Sequence, residues 1–215
     1  MFEIILDTYS EKYHQKKGIK FLSRAKYQKS LHHFEKALLI NDSTVNNFYY
    51  SISLIALNRH SEAITFLEKI IDSHTNDILI SSTLTECYLA VREWEKAEHL
   101  ADYLLEKFKE NTFIQKLHSI TNDVVLREKY AAAKESFYKT IENMDNKDYE
   151  AAFLEINKAI EMDEENASYY FLAGTILMQA NRKKEEYVLY YEKAVLLAPK
   201  NESYKKHLRY VKTRL

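Results

Sequence analysis

The chain has 215 residues, two of them glycine and one proline, and a formal net charge of −1. So little glycine and proline argues against a sheet protein built on many tight turns and favours an all-helical chain. Apolar residues at 46% and charged residues at 29% are the balance of a folded chain, and the near-neutral charge supplies no field toward nucleic acid or an anionic membrane.

The opening stretch, MFEIILDTYSEKYHQKK, has no basic leader region, and its apolar run covers only Ile4, Ile5 and Leu6, so it does not read as a signal peptide. No window approaches the roughly 18 apolar residues of a membrane span. A cytoplasmic protein without a membrane segment is expected.

Paired helices follow one another along the chain. The first pair is KGIKFLSRAKYQKSLHHFEKALLIND, the second closes with EAITFLEKII and the third with KAEHLADYLL. The lone cysteine, Cys87, has no partner for an intramolecular disulfide and reads as a small buried helix residue. The fourth pair is clear in its second helix, DYEAAFLEINKAIEMDEEN, and weaker in its first. The fifth occupies residues 168–201. There Tyr170, Ala173, Gly174 and Leu177 share one helix face, Tyr187, Tyr191, Ala194 and Leu197 another, and Pro199 ends the second helix.

Aligned on one another, the pairs repeat. Gly18, Ser51, Thr85, Thr140 and Gly174 form a series of small residues with steps of 33, 34, 55 and 34. In the second helices the matching series are Ser30, Ala63, Ala97, Ala152 and Tyr187, then Phe34, Leu67, Ala101, Ile156 and Tyr191, then Ala37, Ile70, Leu104, Ala159 and Ala194. These step by 33, 34, 55 and 35, which puts one extra residue in the last turn near Asn181. Small residues recur where helices cross closely and larger ones where they interlock.

A period near 34 with this pattern resembles the tetratricopeptide repeat (TPR) family over roughly four-fifths of the chain. The family's early tryptophan is missing. Trp94 instead begins a second helix, where Tyr27, His60 and Tyr149 stand in other repeats, and only Pro199 supplies the closing proline. The resemblance implies an all-α fold, a right-handed superhelical solenoid of antiparallel helix pairs. It would comprise about five repeats, one irregular or long helix and a C-terminal capping helix. Three repeats are read over 1–110, an inserted or long helix over 111–146, two repeats over 133–200 and the cap over 201–215, as one continuous solenoid with two lobes. In the cap, Tyr204, Leu208 and Val211 can pack while Lys205, Lys206, Arg209 and Lys212 face water.

The step of 55 overshoots one period by 21, and the surplus falls in 111–146, which has neither glycine nor proline. Phe113, Leu117, Ile120, Val124, Ala131 and Tyr138 keep helical spacing almost throughout. A single long or kinked helix is the preferred reading. The alternative is two helices broken near residues 121–123, with Asn122 or Asp123 capping the new start.

No residues point to catalysis, and none to a cofactor or metal. Gly18 and Gly174 are isolated, so no phosphate-binding loop exists, and no two histidines share the spacing of a zinc helix. Glu95 and His99 are four apart but read as a solvated pair. Between Glu142 and Glu165 acidic residues outnumber basic ones nine to two, a solvated face or a docking patch for a basic partner.

In the TPR family, first helices line a concave face that takes peptides or partner helices. The resemblance places Ile19, Leu22, Phe48, Ile52, Ile55, Leu79 and Leu89 there, followed by Phe137, Ile141, Met144, Phe171 and Met178. Family members that bind chaperone tails use a carboxylate clamp of lysines and asparagines. The matching places here are Gln15, Ile19, Tyr49, Leu79 and Thr83, so no binding of EEVD-type tails is expected. The expected function is a non-catalytic protein-binding adaptor with no nucleic-acid partner. The alternative is self-association through the apolar start (Phe2, Ile5, Leu6, Tyr9) or the segment 113–125.

Overall fold

The computed structural model describes residues 10–213, and these form twelve α-helices and no strand. The first helices of the five pairs are α1 (Glu11–Leu22), α3 (Thr44–Ala56), α5 (Ile78–Ala90), α8 (Val124–Asp145) and α10 (Ala167–Gln179). Their partners are α2 (Tyr27–Ile40), α4 (His60–Ile71), α6 (Trp94–Lys107), α9 (Tyr149–Met162) and α11 (Lys184–Leu197). Two helices stand outside the pairs, α7 (Thr112–Asn122) and α12 (Glu202–Thr213).

Local chemistry sets where helices start. Ser10, Ser43, Asp77, Asn111, Asn166 and Asn201 each accept a hydrogen bond from a backbone N–H of the helix that follows, satisfying a donor with no partner inside the helix. Asn111 stands one full period after Asp77, so α7 begins in phase with the repeat.

The turns inside the pairs are equally regular. Ala25, Asn58, Arg92, Lys147 and Asn181 all have positive φ, between 53° and 63°. In each turn the next residue donates its N–H to the carbonyl five positions earlier: Lys26 to Phe21, Arg59 to Leu54, Glu93 to Tyr88, Asp148 to Asn143 and Arg182 to Leu177. This is a Schellman termination, with three of its five left-handed positions filled by residues other than glycine or asparagine. The turns step by 33, 34, 55 and 34. The extra residue of the last repeat therefore lies after Asn181, before Lys184.

Packing across each pair sets a small residue against a compensating one. Gly18 faces Phe34 and Gly174 faces Tyr191; elsewhere the same two repeat positions hold Ser51 and Leu67, Thr85 and Ala101, Thr140 and Ile156, all buried. The third-position series Ala37, Ile70, Leu104, Ala159 and Ala194 is also buried throughout.

The chain divides into two compact units, one ending at Arg127 and one beginning at Glu128. In the first, each helix from α1 to α7 packs on the next, α1 also reaches α3, and α5 reaches α7. In the second, Ala133 of α8, Ala152, Ile156 and Ala159 of α9, and Tyr169, Ala173 and Ile176 of α10 form the core, and α11 and α12 follow in order.

The segment 111–146 is not the single helix that its spacing favours. Asp123 adopts an extended conformation, and its Oδ1 accepts the N–H groups of Val125 and Leu126 at 2.8 and 3.0 Å, which ends α7 and starts α8. α7 buries Ile114, Leu117 and Thr121. α12 presents Tyr204, His207 and Val211 at the same offsets from its own cap, with Tyr204 stacked on Phe171 at 4.5 Å and Val211 buried. α7 and α12 thus bury one face each, at the same positions along the helix.

Candidate protein-binding surfaces

The predicted first-helix lining separates into three groups. Ile19 and Leu79 are 43% and 60% exposed, large apolar side chains in water. Leu22, Ile52 and Ile55 in the first unit are half-buried, as are Phe137, Ile141, Met144, Phe171 and Met178 in the second. Phe48 and Leu89 are buried, at 9% and 0% exposure. Placing these two on the partner face is corrected by the structure: both are buried within the first unit.

In the second unit the lining is partly occupied by the chain itself. The Phe137 ring lies 5.5 Å from that of Tyr169, and Phe171 lies beneath Tyr204 and 5.1 Å from His207. Burial lowers the pKa of His207, so this aromatic cluster favours a neutral imidazole.

The five clamp positions hold no cation. Gln15 Nε2 donates to Glu11 Oε1 and Asn46 Oδ1, both at 2.9 Å, Tyr49 stacks on Phe34, and Thr83 Oγ1 donates to the Leu79 carbonyl at 2.7 Å. The polar groups there are engaged in the fold rather than aimed at a ligand carboxylate.

A feature the sequence reading missed lies between the second helices of the first unit. A cavity of about 420 Å³ opens between α4 and α6, floored by Ile71, Leu84 and Leu100 and walled by Tyr88 and Tyr103. One repeat earlier, between α2 and α4, a cavity of about 280 Å³ uses the matching positions Leu38, Tyr50, Phe66 and Lys69. A bond spans the same place in both: Lys69 pairs with Asp42 in the smaller, and Tyr103 Oη donates to Asn76 Oδ1 at 3.0 Å and to Thr75 Oγ1 at 3.4 Å in the larger. The signal was present in the repeat alignment, as apolar residues at one outward position of each second helix.

Polar groups frame the larger cavity. Tyr88 Oη donates to Glu68 Oε1 at 2.8 Å, and Lys96 reaches Glu68 at 3.1 Å and Glu93 at 2.8 Å. Burial, with the hydrogen bond to Glu68, raises the pKa of Tyr88 and keeps it protonated. For Glu68, burial acts upward, but the bonds from Tyr88 and Lys96 prevail and its pKa falls. In the second unit a cavity of about 430 Å³ lies among α9, α10 and α11, lined by Phe153, Leu177, Leu189 and Tyr190, with Arg182 bonded to Glu150 at 2.5 Å on its rim. Among the described residues no group of three or more histidine, cysteine or acidic side chains could hold a metal, and no helix is long and apolar enough to cross a membrane.

The repeated helix pairs, their turns in register and their small-against-large contacts define an all-α fold of tetratricopeptide type. No protein-family model matches the chain, and no curated protein sequence does. Solved structures similar to it include a TPR protein of Thermus thermophilus, TTC0263, at TM-score 0.43 and 15% identity over 94% of this chain and 98% of that one. MamA (41-end) from Desulfovibrio magneticus RS-1 is similar at TM-score 0.48 and 13% identity, over 89% of this chain and 96% of that one. The TPR2AB domain of yeast Sti1, in a complex with pHSP90, is similar at TM-score 0.45 and 16% identity, over 88% and 78%.

Proposed function

We propose that the chain is a non-catalytic, cytoplasmic interaction scaffold that holds a peptide or partner helix on its first-helix face. Ile19 and Leu79 would anchor the partner in the first unit, with Leu22, Ile52 and Ile55 around them. In the second unit Phe137, Ile141, Met144, Phe171 and Met178 would act in the same way. The observation that carries this reading is the exposure of Ile19 and Leu79 in helices whose other faces are packed. Each anchor buried by a partner would contribute about 1.5–3 kcal/mol before ordering costs. Chaperone tails of the EEVD type are not the partner, because the clamp positions carry no lysine.

The test is a crosslinking pulldown from the native cell with Ile19→Asp and Leu79→Asp. Both side chains are exposed, so the variants should fold, and loss of a specific partner is expected. Recovery of an unchanged partner set by both folded variants would rule the reading out. A titration of an EEVD peptide followed by fluorescence anisotropy should show no low-micromolar binding.

Self-association is the second reading. Phe113, Val124 and Val125 are 47%, 62% and 61% exposed within one short stretch of sequence, which supports the segment 113–125 as a contact. The other candidate contact, Phe2, Ile5, Leu6 and Tyr9, lies outside the described residues. Sedimentation at several concentrations decides: a mass independent of concentration and equal to one chain excludes a stable homo-oligomer.

A further inference from the structure

We propose that the second-helix side of the first unit is a separate docking surface, and that it takes a basic amphipathic helix whose apolar side chains seat in the two cavities between α2, α4 and α6. The first observation is periodicity. Cavities of about 280 and 420 Å³ lie one repeat apart, built from matching positions, with Phe66 and Leu100 as the equivalent apolar side chains. A partner with a regularly spaced apolar stripe can fill both, as helix-in-groove recognition requires. Leu39, at the edge of the smaller cavity, is 84% exposed and adds apolar area outside it.

Charge identifies the partner. Every lysine on α4 and α6 is already paired with a carboxylate of this chain: Lys69 with Asp42, Lys96 with Glu68 and Glu93, and Lys107 with Glu106. Arg59, which precedes α4, is held by Glu62 through two bonds of 2.6 Å. Glu95, on the lining of the larger cavity, has no cationic partner among the described residues. Around the two cavities the carboxylates Glu35, Asp42, Glu68, Glu93 and Glu95 thus outnumber the cations Lys69 and Lys96, over an apolar floor. An acidic partner would be repelled, and a neutral one would leave these carboxylates uncompensated at the rim.

The probe is the labelled peptide LKKLLKLLKKLLKL, with LEELLELLEELLEL as its acidic counterpart, followed by fluorescence anisotropy against the full chain. The basic peptide should bind at least about tenfold more tightly, and its affinity should fall as salt rises. Reversing the rim charge with Glu35→Lys and Glu95→Lys together should weaken it about tenfold, and Tyr103→Ala should weaken it by removing a cavity wall. Glu35 and Glu95 are both exposed, so the test survives if Tyr103→Ala fails to fold. Leu79→Asp and Ile19→Asp should leave this binding unchanged, which separates the surface from the first-helix face. The proposal is overturned if the acidic peptide binds equally, if neither binds, or if affinity responds to Leu79→Asp and not to the rim reversal.

Discussion

Phe34 lies over Gly18 so closely that a Cβ placed on the glycine would sit 2.5 Å from the ring's Cε2. The glycine is there to admit the ring, not to bend the chain, since neither glycine has a positive φ. Gly18→Ala should therefore destabilise the first repeat by about 1–3 kcal/mol, despite the better helix propensity of alanine. Adding Phe34→Leu, which approaches the Ser51 and Leu67 arrangement of the next repeat, should recover part of the loss. Urea unfolding of the three variants checks this, and a neutral Gly18→Ala would refute it. Gly174→Ala should cost less, because its Cβ would meet Tyr191 at 3.0 Å.

The five left-handed turn residues offer an opposite change. Ala25 and Lys147 are exposed and hold φ of 53° and 60°, a conformation that costs side-chain-bearing residues about 1–2 kcal/mol. Ala25→Gly and Lys147→Gly should each raise stability by up to about 1 kcal/mol, read as a higher urea midpoint at unchanged slope. Asn58→Gly and Asn181→Gly should gain less, because asparagine tolerates the conformation.

Asp123 holds the break between α7 and α8. Removing its carboxylate with Asp123→Ala should cost about 1 kcal/mol and speed hydrogen exchange at the amides of Val125 and Leu126, which it now binds. Unchanged protection at those two amides would show that the cap is dispensable.

Acid should loosen the first repeat. His14 Nδ1 and His33 Nδ1 are 3.0 Å apart, a contact that needs at least one neutral ring. Burial, followed by His14, His32, Lys36 and Lys17, lowers the pKa of His33 below 6.5, and the charged groups facing it are all basic. A folded-state pKa below the unfolded one means that the unfolded chain binds more protons. Stability is therefore fully present above about pH 6.5 and is lost as pH falls from there through the folded pKa. The drop in thermal midpoint between neutral and mildly acidic buffer should shrink in His33→Gln. An equal drop in both proteins would assign the acid sensitivity elsewhere.

The repeat was legible because it depends on short-range contacts. Gly18 and Phe34, or Thr140 and Ile156, belong to the two helices of one pair and meet across a single turn, so their sizes covary within that pair. The likeness of α7 to α12 was also written in the sequence: Asn111 stands one period after Asp77, and Ile114, Leu117 and Thr121 match Tyr204, His207 and Val211. The turns were less legible, since Ala25, Arg92 and Lys147 occupy places where the backbone favours glycine. There the Schellman hydrogen bonds of two packed helices override a local preference of about 1–2 kcal/mol.

By itself the sequence determined an all-helical chain, its period, its five pairs and the place where the period fails, because periodicity and residue size along the chain are properties of single helices and their nearest partners. Only the tertiary structure decided that Leu79 meets water while Leu89, on the same helix, is buried, and that 111–146 breaks at Asp123. It alone opened two apolar cavities between α2, α4 and α6. Those outcomes depend on which neighbouring helix covers each side chain and on whether a carboxylate cap outcompetes the next turn of helix. The first is set by packing among elements distant in sequence, which apolar spacing along one helix does not encode; the second is a local competition, and Asp123 already stood in the sequence as a candidate cap.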